Sequence, residues 1–167
     1  MIFYERASTS KEPITADIIR IGARRHLIVE SVSGIFGGII RDESPTVIQP
    51  DALFVEEQAR GLGVGEKLVR RLLAEARKRN VETMRGHIES EYALDIRARI
   101  FGEEALKFFH DNPEGSKEEH PEQYAELPIT FAQARASLVR ARESEEDLEK
   151  RSIGFDVEVD ISTFDSK

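Results

Sequence analysis

A run of closely spaced glycines has the residue types and the spacing of an anion-binding loop. The run reads Arg60-Gly61-Leu62-Gly63-Val64-Gly65, with an apolar segment, Ala52–Val55, before it and a helix-patterned segment, Glu66–Arg79, after it. Glycine has no Cβ, so the backbone can turn sharply and approach a ligand closely. The N–H groups of such a loop and the positive end of the helix dipole then face an anion. The sequence therefore predicts a strand, a loop and a helix that together bind phosphate.

Two common nucleotide-binding loops do not fit this spacing. A P-loop ends in Gly-Lys-Ser or Gly-Lys-Thr, whereas Gly65 is followed by Glu66. The dinucleotide motif is G-x-G-x-x-G and opens a domain of parallel strands, whereas this run is G-x-G-x-G and follows a predicted hairpin. What remains is either another kind of phosphate-binding loop or a glycine turn that only joins a strand to a helix.

Length and composition narrow the class of protein. The 167 residues predict one domain, 1–167, with a substantial buried core. A formal net charge of -8 argues against a nucleic-acid partner and slightly favours a cationic one. The absence of cysteine excludes disulfides and thiolate chemistry. The sequence shows neither a signal-peptide pattern nor an apolar run of about 20 residues, so we expect a cytoplasmic protein without a membrane partner.

The first part of the chain is patterned for β-structure. Apolar and β-branched residues 26–32 and 35–41 flank Ser33-Gly34, which predicts a hairpin. Residues 46–55 supply a further strand that Pro50 interrupts, so we expect the strand proper to begin near Asp51. The segment Ala16–Arg24 is either a short helix or a strand.

The second part of the chain is predicted as alternating helices and strands. Apolar spacing places the elements as helix Gly65–Arg79, strand Val81–Glu89, helix Ala98–His110, helix Phe131–Arg151 and strand Ile153–Ile161, with Glu126–Phe131 as a further candidate strand. Thr130 and Gln133 have the spacing of a capping box at the start of the third helix.

The glycine run and its surroundings resemble one family. The pattern Arg/Gln-x-x-Gly-x-Gly/Ala, after a strand that ends in valine, is matched at every position by residues 60–65, with Val55 five residues before Arg60. Residues 53–68 as a whole resemble the GCN5-related N-acetyltransferase (GNAT) superfamily, and so does the Ser33-Gly34 hairpin before them. The resemblance extends over residues 27–115. The resemblance implies an α/β fold with a mixed, mainly antiparallel sheet flanked by helices. Here an extra C-terminal helix would precede the last strand.

The resemblance also implies a donor and an acceptor. The donor would be acetyl-CoA, and the acceptor a primary amine on a small molecule or a peptide. The implied donor-binding residues are Phe54, Val55, Arg60, Gly61, Leu62, Gly63, Val64, Gly65 and Glu66. Backbone amides of residues 62–66 would bind the pyrophosphate, while the strand at Phe54 and Val55 would splay at a bulge and pair with the pantetheine amides. The Val55 N–H would polarise the thioester carbonyl.

The transfer also needs a base that deprotonates the amine and an acid that protonates the thiolate, and several residues are candidates for these roles. The resemblance suggests Glu89 as the base that deprotonates the amine, with Glu91 and Asp51 as weaker candidates. The usual acid is a tyrosine in Asn-x-x-Ala-x-x-Leu-Tyr, and residues 102–109 match only its hydrophobic frame, with Gly102 and Phe109 in the two functional positions. Tyr92 is the alternative acid.

These departures keep other functions open. One is a GNAT-like module that binds CoA with weak or no turnover. Another is an interaction protein that uses the helix Phe131–Arg151. In an acetyltransferase that helix would cover the acceptor site, form a homodimer contact, or only pack an apolar stripe on the core. The four histidines have no metal-ligand spacing in the sequence, so no metal site is predicted.

Overall fold

A computed structural model describes residues 12–88, 90–111, 113–143 and 155–165. Eight strands pair in the order β1-β2-β3-β4-β6-β8-β7, with β5 beside β3, and most of the pairing is antiparallel. The predicted α/β class with a mixed sheet and flanking helices is confirmed. The described residues form two compact units, one of residues 12–84 and 160–165, the other of the described residues between 85 and 159. The single-domain expectation stays a prediction.

The first unit contains a β-meander and one long helix. Its elements are β1 (Thr15–Ile21), β2 (Arg24–Ser31), β3 (Gly34–Arg41), β4 (Val47–Pro50), β5 (Phe54–Val55), α1 (Val64–Arg77) and the beginning of β6 (Thr83–His87). The predicted hairpin is confirmed, with Ser31 opposite Gly34 at its turn. β4 lies parallel to β6 through Val47 and Ile48.

Helix α1 covers one face of this meander. Its fully buried side chains recur at helical spacing, and they lie against buried residues of β2 and β3 such as Leu27 and Phe36. Gly34 allows the closest approach, since a Cβ there would lie 2.8 Å from Leu68 Cδ1 and 2.8 Å from the Phe54 carbonyl oxygen. A larger residue at position 34 would push α1 away from the sheet.

The second unit holds the remaining elements. They are the end of β6, α2 (Glu91–Phe101), β7 (Lys107–His110), the short helix α3 (Pro121–Tyr124), α4 (Phe131–Glu143) and β8 (Phe155–Asp160). β7 and β8 are antiparallel, and the rings of Phe108 and Phe155 meet edge to face at 5.6 Å.

None of the described helices is both long and apolar enough to cross a bilayer.

Several sequence-based boundaries are confirmed and others are wrong. Helix α1 and strand β8 lie where expected, and the helix from Phe131 is confirmed as far as Glu143, beyond which the prediction falls outside the described residues. The segment that includes residues 16–21 is a strand. The strand expected from Asp51 is wrong in its start, since Pro50 ends β4 and the next strand, β5, begins at Phe54. Pro50 is tolerated in β4 because the Asp51 N–H donates to the Gly37 carbonyl at 2.8 Å, which leaves Gly38–Pro50 as a pair that needs no proline N–H.

The predicted helix Ala98–His110 is wrong. Helix α2 begins earlier, where the Ser90 hydroxyl accepts a hydrogen bond from the Ala93 N–H at 3.2 Å. It ends at Phe101 because Gly102 has φ 88 and ψ 147, which no helix accommodates. The chain then turns into β7, and β7 is the strand that pairs with β8. The candidate strand Glu126–Phe131 is reduced to a single bridge between Glu126 and Phe109.

Candidate functional site: the glycine loop and its surroundings

The loop of residues 60–66 has the backbone conformation that its glycines predict. Gly61 and Gly63 have φ values of 80 and 85, in the left-handed region that side chains disfavour. A Cβ at either position would meet no atom within 4 Å, so the loop backbone is open on that side. Gly63 is also the residue before α1 and has no side chain that could cap the helix. The first N–H groups of a helix lack partners within the helix, and those of α1 follow directly after this open position.

The strand before the loop contains a β-bulge. Gly38 lies opposite Pro50 and Ile35 opposite Phe54, so two residues of β3 face three residues of the other strand. One residue is therefore extra, and an extra residue bends a strand and breaks its pairing locally. Within the described residues, β4 pairs with both β3 and β6, whereas β5 pairs with β3 alone. The expected bulge is present.

The bulge turns the Val55 peptide groups away from β3. The Glu56 N–H donates to the Ser33 carbonyl at 2.8 Å, which makes Ser33 and Glu56 a hydrogen-bonded pair. Such pairs alternate along antiparallel strands, so the neighbouring Gly34–Val55 pair does not exchange hydrogen bonds. The Val55 N–H and C=O consequently point toward the outer edge of β5. The Arg60 Nε donates to that carbonyl at 3.0 Å, which ties the loop to the strand.

The basic face of α1 is largely engaged by the helix's own acids. Arg70 pairs with Glu66 at 3.2 Å, while Arg71, Lys78 and Arg79 surround Glu75 at 3.0–3.3 Å. Burial raises the pKa of Glu75, but hydrogen bonds from these three cations outweigh it and hold that pKa below its ordinary value. These side chains therefore stabilise the helix rather than form a free cationic patch.

The expected catalytic residues belong to the second unit or lie outside the described residues. Glu89 lies outside them. Tyr92 occupies the first turn of α2, where its side chain is 38% exposed. Of the weaker base candidates, Glu91 is paired with Arg142, and Asp51 lies on the exposed side of the bulge. The structure thus brings Phe54, Val55 and residues 60–66 together in the first unit, whereas Tyr92 belongs to the second unit.

Gly102 and Phe109 do not occupy positions of one helix. Gly102 ends α2, and Phe109 lies on β7 opposite Asp156, with the Arg85 guanidinium 4.3 Å from the centre of its ring. The expectation that Phe109 replaces a helical tyrosine therefore fails, because it depended on a helix through residues 98–110.

Sequence reasoning missed a cluster of three titratable side chains in the second unit. His87 ends β6, Asp111 follows β7, and Asp156 lies on β8. The His87 Nδ1 lies 3.1 Å from Asp111 Oδ2. Burial, and then a hydrogen bond shared with Asp111, raises the pKa of Asp156 above its ordinary value, while Arg85 and His87 lower it in part. No sequence pattern indicated this cluster, because Asp111 followed a predicted helix and Asp156 lay inside a predicted strand.

A cavity of about 380 Å³ lies elsewhere in the second unit. Its walls combine the carboxylates of Glu103 and Glu104 with apolar side chains that include Leu106, Phe108 and Phe131. Such a lining suits a ligand that carries both a positive charge and a hydrocarbon part.

Comparison with known proteins identifies the family. Residues 4–99 match the model of the acetyltransferase (GNAT) family. A Klebsiella pneumoniae protein assigned as an acyl-CoA N-acyltransferase is similar in fold, with a TM-score of 0.53 and 14% identity over 91% of this chain and 99% of that one. A comparison with curated proteins found no match.

Two further solved structures resemble the chain more distantly. A Bacillus subtilis acetyltransferase in complex with CoA has a TM-score of 0.49 at 12% identity, covering 90% of this chain and 99% of that one. A Salmonella typhimurium protein assigned as an acetyltransferase, with acetyl-CoA as its cofactor, has a TM-score of 0.36 at 29% identity, covering 44% and 46%. The family match spans more than half of the chain and includes the whole glycine loop, so the chain belongs to the GNAT family of acetyltransferases.

Proposed function

We propose that this protein transfers an acetyl group from acetyl-CoA to an amine. The observation that supports the proposal most directly is the combination of an open glycine loop before α1 with an outer edge of β5 that pairs with no described strand and toward which the Val55 N–H points. The N–H groups at a helix start favour phosphate, and such a strand edge accepts an extended amide chain. CoA carries both groups on one molecule. Relatives of similar fold include proteins solved with CoA or acetyl-CoA.

In this proposal the loop and the strand bind different parts of the donor. The backbone amides of residues 62–66 bind the pyrophosphate, while Phe54 and Val55 pair with the pantetheine amides. Phe54 is 53% exposed, so its side chain is available to cover the bound arm. The Val55 N–H, which points outward, donates to the thioester carbonyl and stabilises the negative charge that develops on its oxygen.

The acceptor amine must lose a proton to attack the thioester. We assign Glu89 as the base and Tyr92 as the acid that protonates the departing thiolate. Positioning the two reactants supplies much of the rate enhancement, and the base adds its share by delivering the neutral amine. The acceptor is a small molecule or a peptide.

The first experiment measures donor binding and turnover separately. Calorimetry with acetyl-CoA and with CoA should show one binding site, and inorganic pyrophosphate should bind far more weakly because it lacks the arm that pairs with β5. Thiol release is then followed over a panel of alkylamines, polyamines and peptides with free amines. Failure to bind either form of the coenzyme would refute the proposal.

The second experiment tests the two assigned catalytic residues. In Glu89→Gln the pH profile of kcat/KM should lose its acidic limb, since that limb reports the base in the free enzyme. Tyr92→Phe should lower kcat with little change in KM. Glu43→Gln, which alters an exposed loop carboxylate of the first unit, is the control. An unchanged pH profile in Glu89→Gln would remove that residue from the mechanism.

The structure weakens the main alternative. A CoA-binding module without turnover was suggested by Gly102 and Phe109 at the positions of a helical asparagine and tyrosine. Since α2 ends at Phe101, that comparison does not apply. The interaction role of the C-terminal helix is also less supported, because the described part of α4 already contacts α2 through the bidentate pair of Arg135 with Asp95 at 2.8 and 3.0 Å.

A further inference from the structure

Three side chains that are distant in sequence meet at one end of the second unit. His87, Asp111 and Asp156 come from the ends of β6 and β7 and from β8, and each is partly buried. One potential ligand atom from each of them lies within 4.8 Å of the other two. Two ligands on opposite sides of a first-row metal ion are about 4.2 Å apart, and two ligands of a tetrahedral site about 3.4 Å. Small rotations of the side chains would therefore bring all three ligand atoms to bonding distance of one ion.

The imidazole of His87 has a nitrogen without a hydrogen-bond partner. Its Nδ1 is buried, and although Asp111 Oδ2 is 3.1 Å away, the two atoms are not aligned for a hydrogen bond. Among the described residues no other group supplies a partner for this nitrogen. A buried polar atom without a partner is unfavourable and calls for a ligand. The Nδ1 lone pair of a neutral imidazole is a good metal ligand.

The charges around this nitrogen also favour a cation. The two aspartates place carboxylates side by side. Arg85 is nearby, but its Nε is 3.7 Å from Asp156 and its Nη1 is 3.3 Å from Glu158, so it is shared between two acids. Its guanidinium also lies over the ring of Phe109. A cation among His87, Asp111 and Asp156 would compensate the adjacent carboxylates and give the imidazole nitrogen a partner.

We propose that His87 Nδ1, one oxygen of Asp111 and one oxygen of Asp156 bind a divalent first-row transition metal ion of the Zn²⁺ class. One imidazole with two carboxylates suits such an ion better than Mg²⁺ or Ca²⁺, which take oxygen ligands. Three protein ligands leave at least one position for water. The bound ion links the ends of three strands of the second unit. This proposal is independent of the acetyl-transfer proposal.

The test uses the full chain, freed of metal with a chelator, and Zn²⁺ alone as the probe. Calorimetry at pH 7 should show one tight site, with binding of Mg²⁺ at least about 100-fold weaker. His87→Gln and Asp156→Asn should each weaken Zn²⁺ binding by more than about tenfold. The control is His120→Gln, because His120 also has a carboxylate nearby, Glu122 at 3.5 Å, but lies in an exposed position. It should leave the affinity unchanged within about twofold.

A second measurement separates metal binding from loss of structure. Zn²⁺ should raise the thermal midpoint of the wild-type protein and of His120→Gln, but not that of His87→Gln or Asp111→Asn. Circular dichroism in the presence of chelator shows whether each variant is folded, and at least one of the three ligand variants is expected to keep the wild-type spectrum. The proposal is overturned if Zn²⁺ does not bind, if Zn²⁺ binds equally well to the folded ligand variants, or if His120→Gln abolishes binding.

Discussion

The loop of residues 60–66 and the cluster of His87, Asp111 and Asp156 are assembled in different ways. The loop is one continuous segment whose proposed ligand-binding groups are backbone N–H groups at the start of α1. The cluster takes one side chain from each of three chain segments, and its outermost members are 69 residues apart in sequence. In the two proposals the first binds through backbone geometry, and the second through side-chain chemistry.

This difference has consequences for how each region responds to substitution. The loop depends on the absence of side chains at Gly61 and Gly63. Without a Cβ these residues adopt positive φ and leave open space beside the backbone. The cluster depends on which functional groups are present, so a change of a single atom in a carboxylate should alter it. Two predictions test the loop side of this contrast, and two smaller ones test side-chain interactions elsewhere, in order of decreasing effect.

The largest expected effect tests whether the loop depends on the core beneath it. Leu68→Ala removes a fully buried side chain that lies close to Gly34 and should lower the free energy of unfolding by about 3 kcal/mol. Because the loop is held by local backbone geometry, the affinity for CoA should change less than about threefold at temperatures where the variant is folded. Denaturant unfolding and calorimetry measure the two quantities. A large loss of affinity in the folded variant would show that the loop is not locally determined.

The next effect concerns space at the loop itself. Gly63→Glu fills the open side of the loop and adds a negative charge, so CoA binding should weaken by about 100-fold, or about 2.7 kcal/mol. Gly22→Glu is the matched control, because Gly22 also has positive φ and open space around it but lies in the β1–β2 turn. Both variants add the same charge at a position of positive φ. Equal affinity in the two variants would refute the assignment of the loop.

A smaller effect tests charge interactions within a single helix. Glu75 has a lowered pKa, so its contribution to stability is present above the pKa of the unfolded chain and is lost as the pH falls through the folded value. Glu75→Gln should therefore be less stable than wild type by about 1 kcal/mol at pH 7, and the difference should be smaller near pH 3. Urea unfolding at the two pH values measures this. A difference that persists at low pH would point to packing instead of charge.

The smallest effect concerns a local feature of the second unit. The Thr130 hydroxyl accepts a hydrogen bond from the Gln133 N–H at 3.1 Å, and the Gln133 side chain accepts one from the Thr130 N–H at 2.9 Å. Thr130→Ala should cost about 1 kcal/mol of stability, while Thr130→Ser should cost much less because the hydroxyl is kept. Thermal unfolding of both variants checks the order. Equal losses would mean that the methyl group, not the hydroxyl, is what matters.

Features that depend on neighbouring residues were predictable from the sequence. The β2–β3 hairpin, helix α1, strand β8 and the Thr130 capping box all follow from short-range patterns. The glycine loop was recognisable for the same reason. The helix expected at residues 98–110 failed because apolar spacing cannot distinguish a helix end followed by a buried strand from a continuing helix. Only the φ of Gly102 decides between them.

The sequence by itself determined the glycine loop, because backbone conformation over six residues is set largely by the residues themselves, and the resemblance of the surrounding residues indicated the family and the donor. The tertiary structure alone decided that His87, Asp111 and Asp156 meet, that Val55 presents its N–H at a free edge, and that Phe109 lies on a strand. These facts depend on which strands pair and in which register. Pairing and register are fixed by the packing of the whole sheet, which no short segment of sequence contains.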